Sequence, residues 1–264
     1  MIATLKKIKR SLSPLYYRVH QLYFSLAGHR VQCNICGYKA NHLQSDVWHA
    51  HSICPRCESS IRQRLLWACL SEHQKFNHTN LIQNKAVLHF APEKCFRDFI
   101  KDKAAIYHSA DFFAEGYHYP NITYNLDISN MQSIADNTYD CLIACDVLEH
   151  VNNDQKALSE ITRVLKPNGI CILTVPQKDH LEITDEDLSI KSPTEREKRF
   201  GQSDHLRIYG FDFLNKIQSA GLKTDIVDEQ YFGKDYVKKH VIFPEILSNH
   251  PMATNYRKFY FGKK

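Results

Sequence analysis

Residues 138–176 combine two short apolar runs with a stretch of helical periodicity, and this pattern predicts how the chain is organised. Residues 140–146 and 170–175 are apolar over most of their length, as strands buried on both faces are. Between them, apolar residues recur at steps of three and four and predict one buried helical stripe: Ala157, Leu158, Ile161, Val164 and Leu165. A strand, a crossover helix and a second strand form a βαβ unit, so the sequence predicts a parallel sheet covered by helices.

Polar residues mark both ends of this helix. Residues 152–154 (Asn-Asn-Asp) offer capping side chains for the first N–H groups of a helix. Residues 166–169 (Lys-Pro-Asn-Gly) predict its end, because proline cannot continue a helix and Asn-Gly tolerates a tight, left-handed turn. Ligands of open α/β sheets lie beyond the carboxyl ends of the strands. We therefore expect chemistry at residues 146–150 and 175–177.

Three earlier segments are typical of further strands of the same sheet: 85–90, 106–110 and 122–126. The last two are followed by Asp111 and Asp127, so with Asp146 three successive strands end in an aspartate. The turn at 91–93 has no glycine, although nucleotide-binding folds normally place a glycine-rich turn there. Asp111 lies about 20 residues beyond this turn, the spacing of the carboxylate that binds ribose hydroxyls in dinucleotide folds. Aspartate is also common at strand ends and helix caps, where it has no ligand.

Charge is concentrated at the N-terminus. The net charge of the 264 residues is +5, and the first 45 residues hold seven basic side chains and no acidic one, which leaves −2 for the remainder. The large domain is therefore not expected to bind polyanions in general. No run of 18 apolar residues and no secretory signal is present, and the nine cysteines do not form a disulfide framework. These features predict a cytoplasmic protein.

Residues 1–30 have apolar residues at steps of three and four with basic residues between them, which predicts two short amphipathic helices. Such a segment suits peripheral contact with an anionic surface at the inner face of a membrane. It equally suits a helix packed on its own domain, a loosely ordered leader, or an organelle transit peptide.

Two Cys-x-x-Cys motifs separated by 17 residues predict a structural zinc site with the ligands Cys33, Cys36, Cys54 and Cys57. Four thiolates at about 2.3 Å fill a tetrahedral ion and leave no open position. The alternatives are unmetallated thiols, or a histidine from the gap as a substitute ligand. We expect a zinc-ribbon-like module at 31–60 and a connecting helix within 61–80, in which Arg64 points away from the apolar face. The main domain then spans 81–264, and its polar stretch at about 177–205 is expected to form a substrate lid.

Four motifs together resemble those of the class I S-adenosylmethionine-dependent methyltransferases, and of a branch with a cysteine-rich N-terminal module. They are Leu-His-Phe-Ala-Pro-Glu at 88–93, Asp-Val-Leu-Glu-His-Val at 146–151, Arg-Val-Leu-Lys-Pro-Asn-Gly at 163–169 and Phe-Gly-Gln-Ser-Asp-His-Leu-Arg-Ile-Tyr-Gly at 200–210. The resemblance implies an α/β, Rossmann-like sheet of seven strands, six parallel and one antiparallel. Residues 223–227 would be the sixth strand and 257–261 the antiparallel seventh.

The resemblance also implies a set of cofactor-binding residues. The methionine part of the cofactor would be lined by His89, Phe90, Ala91, Pro92 and Glu93. Asp111 would bind the ribose and Asp127 with Ile128 the adenine, while Asp146, with Val147 beside it, would close the site near the sulfonium. The glycine-free turn predicts a shifted cofactor or a weaker affinity.

Methyl transfer from a sulfonium is an in-line displacement, and a hydroxyl acceptor also needs a base, for which histidine is suited near neutral pH. The candidates are His150, His180 and His205, with Asp204 beside the last. His205 and Arg207 follow the predicted lid and are the first choice for substrate contact. His150 can instead cap or brace the helix that follows it.

Three functions remain open at the level of the sequence. The first is methylation of a small-molecule or sugar hydroxyl, for example in glycan biosynthesis. The second is methylation of an RNA base, with the zinc module and the basic N-terminus gripping phosphates. The third is a non-catalytic scaffold with a degenerate cofactor site.

Overall fold

The computed structural model describes residues 28–46, 48–112 and 122–264. The chain divides into two compact units, one formed by residues up to Ala68 with Glu229–Ser248 and the other by Cys69–Asp228 with Asn249–Lys264. The basic helices predicted for residues 1–30 lie almost entirely outside the described residues. Within the described part, none of the helices has the length and apolar character needed to cross a membrane.

The secondary-structure elements follow one another along the chain as β1 (Val31–Gln32), β2 (Lys39–Ala40), α1 (Ile61–Glu72), α2 (His78–Leu81), β3 (Ala86–Phe90), α3 (Lys94–Lys103), β4 (Ile106–Asp111), β5 (Tyr124–Asn125), β6 (Tyr139–Cys145), a 3₁₀ turn (Leu148–His150), α4 (Asp154–Val164), β7 (Leu165–Thr174), β8 (Asp185–Glu186), α5 (Pro193–Phe200), β9 (Arg207–Ile208), α6 (Phe213–Ser219), β10 (Lys223–Val227), a 3₁₀ turn (Glu229–Tyr231), α7 (Lys234–His240) and β11 (Phe259–Lys263).

The larger unit is built on a seven-stranded sheet with the order β10-β11-β7-β6-β3-β4-β5. Strand β11 runs antiparallel to both of its neighbours, and the pairs among β7, β6, β3, β4 and β5 are parallel. The predicted sheet of six parallel strands and one antiparallel strand is confirmed. Strand β10 has the predicted bounds, whereas β11 begins two residues later than predicted and β5 is shorter.

The centre of the sheet is apolar on both faces. All five residues of β3 are buried, and β6 is buried at every position except Asp140. Helix α4 covers the sheet with its predicted stripe, since Ala157, Leu158, Ile161 and Val164 are fully buried. The predicted cap is present too, because the Asn153 side chain accepts a hydrogen bond from the Lys156 N–H.

The segment 166–169 ends helix α4 as predicted but does not form a separate turn. Strand β7 starts immediately after the helix, at Leu165, and the register against β6 shifts between Tyr139 and Cys141. Asn168 takes the left-handed backbone expected of it, with φ of 67°, inside this irregular strand. A Cβ atom at Gly169 would lie 2.9 Å from the Lys166 carbonyl oxygen, so a larger residue would not fit without movement.

The polar insertion at 177–205 has regular structure of its own. Strand β8 pairs antiparallel with β9, and helix α5 begins at a Ser192 cap. Arg199 on this helix forms ion pairs with Asp185 and Asp187 at 2.8 and 2.7 Å. These contacts hold α5 against the short β8–β9 pair.

The smaller unit surrounds one buried arginine. Strands β1 and β2 form an antiparallel pair, and the core of the unit includes Val31, Leu43 and Val241. The prediction that Arg64 points away from the buried face is wrong, because its side chain is fully buried. Its guanidinium donates instead to backbone carbonyls of Ser52, Ser59, His240 and Val241. Arg64 thus ties residues 52–59 to a segment about 180 positions later in the chain.

We expect Arg64→Met to destabilise the smaller unit by about 3–5 kcal/mol, because several buried carbonyls would lose their donor. Both tryptophans of the chain, Trp48 and Trp67, lie in this unit. Denaturant unfolding followed by tryptophan fluorescence therefore measures the effect.

The matched control is Arg30→Met, which removes an exposed arginine paired with Glu245 at 2.7 Å in the same unit. Exposed pairs contribute about 0–1 kcal/mol, so this variant should unfold close to the wild-type midpoint. Equal losses in the two variants would refute the role assigned to Arg64.

Candidate active site

The carboxyl ends of three adjacent parallel strands meet at one edge of the sheet. Phe90 at the end of β3 pairs with Ala110 of β4 on one side and with Ala144 of β6 on the other. Segments 91–93 and 146–150 follow β3 and β6, and Asp111 is the last residue of β4. The structure therefore brings the predicted cofactor residues of three separate segments to the same edge.

The turn after β3 is strained. Ala91 has φ of 44°, in the left-handed region that alanine rarely adopts, and its N–H donates to the Ala110 carbonyl at 2.9 Å. Strained residues of this kind cost about 1–3 kcal/mol and are frequent at active sites. Ala91, Pro92 and Glu93 are partly exposed, so this turn can contact a ligand.

His89 and Phe90 lie beneath the turn rather than at its surface. His89 is fully buried, and its Nδ1 lies 3.2 Å from the Tyr107 hydroxyl. Burial lowers the pKa of His89 to about 3, so its ring is neutral. Its Nε2 has no hydrogen-bond partner among the described residues. Both side chains support the turn from within the sheet.

The predicted ribose and adenine residues differ in exposure. Asp111 is partly buried and accepts a hydrogen bond from the Phe112 N–H at 2.8 Å, and burial raises the pKa of its carboxyl. Asp127 is also partly buried and accepts from the Ser129 N–H at 2.7 Å. Ile128 belongs to the buried core and is only 3% exposed. The two aspartates, rather than Ile128, are placed to meet a polar ligand.

Asp146 is held by an arginine that no motif of the sequence points to. Its carboxylate lies 3.0 Å from Arg257, which also donates to the Val175 carbonyl. Asp146 has φ of 51° and is partly exposed, as is Val147 beside it. Arg257 joins this site from just before β11, and only the folded sheet reveals it.

Two histidines converge on the buried carboxyl group of Glu149, which lies in the 146–150 segment expected to carry chemistry but is not one of the candidate residues. The Nε2 atoms of His150 and His205 each lie 4.0 Å from Glu149 Oε1. The two imidazole rings are edge to face, with centroids 4.9 Å apart. Asp204 completes the group, since its Oδ2 lies 3.3 Å from His150 Nδ1. The structure thus brings predicted candidates from the 3₁₀ turn and from the end of the insertion into one cluster.

The surroundings of these groups separate their protonation states. Burial and the nearby charge of Asp146 raise the pKa of Glu149 to about 8. Burial lowers the pKa of His205 to about 4, and repulsion from His150 acts in the same direction. Burial also acts to lower the pKa of His150, but its hydrogen bond to Asp204 and the charge of Glu149 outweigh this and raise it. That hydrogen bond in turn lowers the pKa of Asp204 to about 2.

Arg207 binds the backbone on either side of Glu149 and His150. Its side chain is fully buried and forms an ion pair with Glu186. It also donates to the carbonyls of Leu148, at 2.7 Å, and Val151. These two carbonyls flank Glu149 and His150, so the geometry favours a positioning role over the substrate contact predicted for Arg207.

His180 stands apart from the other candidate histidines. Its side chain is exposed and its φ is 60°. Its ring lies edge to face with Tyr256, at a centroid distance of 6.2 Å. The structure does not place it in the group of ligand atoms formed by Glu149, His150 and His205.

The four predicted metal ligands of the smaller unit converge as well. The sulfur atoms of Cys33, Cys36, Cys54 and Cys57 all lie within 4.8 Å of one another. Two of these separations, Cys33–Cys57 and Cys36–Cys54, are 3.6 Å. A tetrahedral ion with ligands at about 2.3 Å places its sulfur atoms about 3.8 Å apart, so the cluster fits such an ion closely.

Comparisons with known proteins match the larger unit. Residues 105–173 match the model of a family described as a methyltransferase domain. The crystal structure of an S-adenosylmethionine-dependent methyltransferase from Mesorhizobium loti aligns with 79% of this chain and 100% of that chain, at 9% identity and a TM-score of 0.51. A 1,6-didemethyltoxoflavin-N1-methyltransferase from Burkholderia thailandensis, solved with S-adenosylhomocysteine, aligns with 77% of this chain and 78% of that chain, at 12% identity and a TM-score of 0.49.

Among curated proteins, an uncharacterized protein of Methanocaldococcus jannaschii is 52% identical over 46 residues. That stretch is 17% of this chain and 20% of the relative, so the chain spans only a fifth of its length. The family match does not reach the cysteine cluster, and the resemblance to a branch with a zinc module stays a prediction.

Residues 105–173, within the larger unit, match the methyltransferase-domain family. The fold is shared with the S-adenosylmethionine-dependent methyltransferase from Mesorhizobium loti. The methyltransferase expected from the motifs is therefore confirmed at the level of the fold and of residues 105–173.

We expect Ala91→Gly to stabilise the larger unit by about 0.5–1 kcal/mol, because the strain of a left-handed alanine exceeds the extra chain entropy of glycine. Ala110→Gly, on regular backbone in β4, is the control of opposite sign and should lose about 1 kcal/mol. Amide hydrogen exchange of peptides from β3 and β6 reports both changes. A loss of protection in Ala91→Gly as large as that in the control would contradict the strain argument.

Proposed function

We propose that this protein transfers a methyl group from S-adenosylmethionine to a hydroxyl of a small molecule or a sugar, for example during glycan biosynthesis. The observation that carries this proposal is the Glu149–His150–His205 cluster at the edge where Asp111 and Asp146 also lie. The cluster and Asp111 interact electrostatically, because the charge of His150 acts to lower the pKa of the Asp111 carboxyl. A cytoplasmic location, with residues 1–30 in contact with an anionic membrane surface, is part of the same proposal.

The cofactor would lie across the edge formed by β4, β3 and β6. Asp111 would accept hydrogen bonds from the ribose hydroxyls, and Asp127 would hold the adenine. The strained turn at Ala91 would face the methionine part, and Asp146 would lie near the sulfonium. Its salt bridge with Arg257 fixes the direction of that carboxylate and limits its local negative charge.

The reaction requires an acceptor oxygen in line with the methyl group and the sulfur. The oxygen forms a bond to the methyl carbon while the carbon–sulfur bond breaks and its electron pair returns to sulfur. The acceptor hydroxyl must also lose its proton, which an alcohol does not release readily near neutral pH. Two imidazoles and the carboxyl group of Glu149 lie beside Asp146 and are the candidate proton acceptors.

The cysteine cluster is proposed to hold structural zinc. Four thiolates complete a tetrahedral ion, so no position stays open for a substrate. Because the smaller unit has a small core around Val31, Leu43 and Val241, metal binding would contribute directly to its folding free energy.

The first test is calorimetric titration of the purified full chain with S-adenosylhomocysteine. We expect binding by the wild type and a Kd about 10–100 times weaker for Asp111→Ala, since hydrogen bonds to a charged group contribute about 1.5–3 kcal/mol. The control, Asp98→Ala, removes an aspartate on α3 whose side chain is 76% exposed, and should bind as the wild type does.

Each outcome separates the candidate functions. Folded wild-type protein that does not bind S-adenosylhomocysteine would refute the methyltransferase proposal and favour the scaffold. Unchanged binding by Asp111→Ala would leave the class intact and remove the ribose role of Asp111. Retention on RNA that falls steeply with salt would favour an RNA acceptor over a sugar hydroxyl.

The zinc proposal has its own measurement. Removal of the metal with a strong chelator should lower the denaturant midpoint seen by tryptophan fluorescence, and addition of Zn²⁺ should restore it. Cys54→Ser should behave as the metal-free wild type, whereas Cys69→Ser, which changes a buried thiol outside the cluster, should keep its metal. A midpoint that the chelator leaves unchanged would exclude structural zinc.

A further inference from the structure

Three potential metal ligands of the larger unit face one another at the active-site edge. The ligand atoms of Glu149, His150 and His205 all lie within 4.8 Å of one another. Both histidines direct Nε2 at the same carboxylate oxygen, at 4.0 Å each. This arrangement of two imidazoles and one carboxylate is a donor set that binds divalent transition metals.

The outer nitrogen of each ring already has the partner that metal-binding histidines use. His205 Nδ1 lies 3.1 Å from the Phe200 carbonyl, and His150 Nδ1 lies 3.3 Å from Asp204 Oδ2. A ring whose Nδ1 donates to such a partner presents the lone pair of Nε2 on its other side. Metal-ligating histidines nearly always have this second contact, which fixes both tautomer and orientation.

Glu149 supplies a second, independent observation. Its side chain is 1% exposed, and its Oε2 has no hydrogen-bond partner among the described residues. A buried carboxyl group with an unsatisfied oxygen is costly, and its charged form is stable there only beside a cation. Glu149 nevertheless lies in the centre of the cluster. Its backbone carbonyl accepts a hydrogen bond from the Leu206 N–H, which fixes its main chain.

We propose that Glu149, His150 and His205 form a binding site for one divalent transition-metal ion of the zinc type. Ligands at about 2.0–2.2 Å lie about 3.3–3.6 Å apart around a tetrahedral ion, so the two separations of 4.0 Å need to shorten by about 0.4–0.7 Å. The ion would enter past His150, whose side chain is 34% exposed. Three protein ligands leave a position open, unlike the four thiolates of the smaller unit.

The open coordination position indicates which class of acceptor could bind there. This part of the inference rests on the proposed function. A hydroxyl bound to the ion is more acidic than a free one, as metal-bound water is. Its proton passes to bulk water, its oxygen forms the bond to the methyl carbon, and the sulfonium becomes a thioether. The acceptor class is therefore an alcohol or sugar whose hydroxyl can ligate a metal.

The test counts zinc in the full chain after dialysis against Zn²⁺ at a fixed free concentration. Glu149→Gln retains the shape of the buried side chain and should hold one zinc ion fewer than the wild type. His150→Ala removes a partly exposed ligand and should do the same, with at least about tenfold weaker binding at this site. His180→Ala removes an exposed histidine outside the cluster and should match the wild type.

The difference in zinc content between wild type and Glu149→Gln decides the proposal. This difference does not depend on what the four cysteines bind. Equal zinc content in these two folded proteins, or in wild type and His150→Ala, would overturn it. Calorimetry with S-adenosylhomocysteine on the same samples separates the two proposals. Cofactor binding without the zinc difference overturns the metal site alone, and the zinc difference without cofactor binding overturns only the methyltransferase reaction.

Discussion

The parallel pairing of β6, β3 and β4 is the constraint on which the candidate active site depends. Leu88 pairs with Leu142 on one side and with His108 on the other, so the three strands are aligned residue by residue. Parallel strands that are aligned in this way end at a common edge, and their following loops must meet there. A slip of one residue would turn the buried apolar side chains of a strand to its other face. The register of β3 with β4 and β6 therefore sets where Ala91, Asp111 and Asp146 stand.

Much of this arrangement follows from local patterns. The apolar run at 140–146 and the stripe of α4 are each specified within about ten residues, and the sequence alone predicts them because periodicity is a local property. The cysteine cluster can be predicted in the same way, since its spacing alone indicates tetrahedral ligation. Strand β10, by contrast, is expected only from the resemblance to a known family.

Contacts between polar residues far apart in the chain leave no such pattern in the sequence. Arg257 and Asp146 are 111 positions apart, and Arg64 and Val241 are 177 apart. Neither pair has a periodic signal, and the helical pattern around Arg64 indicated the opposite orientation.

The active-site edge also departs from the rule that left-handed backbone is given to glycine. Ala91 and Asp146 both have positive φ, and both directly follow adjacent central strands. Aspartate tolerates this region better than alanine does. At Ala91 the hydrogen bond from its N–H to the Ala110 carbonyl holds the conformation in place. The sequence shows that this turn has no glycine. It does not show that the backbone nevertheless adopts the left-handed conformation that glycine would allow. The rigid sheet around the turn accounts for this, because it over-determines the conformation of a single residue.

The cluster around Glu149 joins two segments of the chain, 149–150 and 204–205. Residues 206–207 hold these two segments together. Leu206 donates its N–H to the Glu149 carbonyl, and Arg207 holds the carbonyls of Leu148 and Val151 on either side. His205 immediately precedes these two residues, so it cannot leave Glu149 without disturbing a fully buried guanidinium. Breaking such a buried charged contact costs about 3–5 kcal/mol. The contacts of Leu206 and Arg207 therefore hold His205 close to Glu149 without a ligand, and a bound ion needs only a further shortening of a few tenths of an ångström. A site fixed in this way suits a bound ion or a positioned hydroxyl, because both require donor atoms whose separations do not drift.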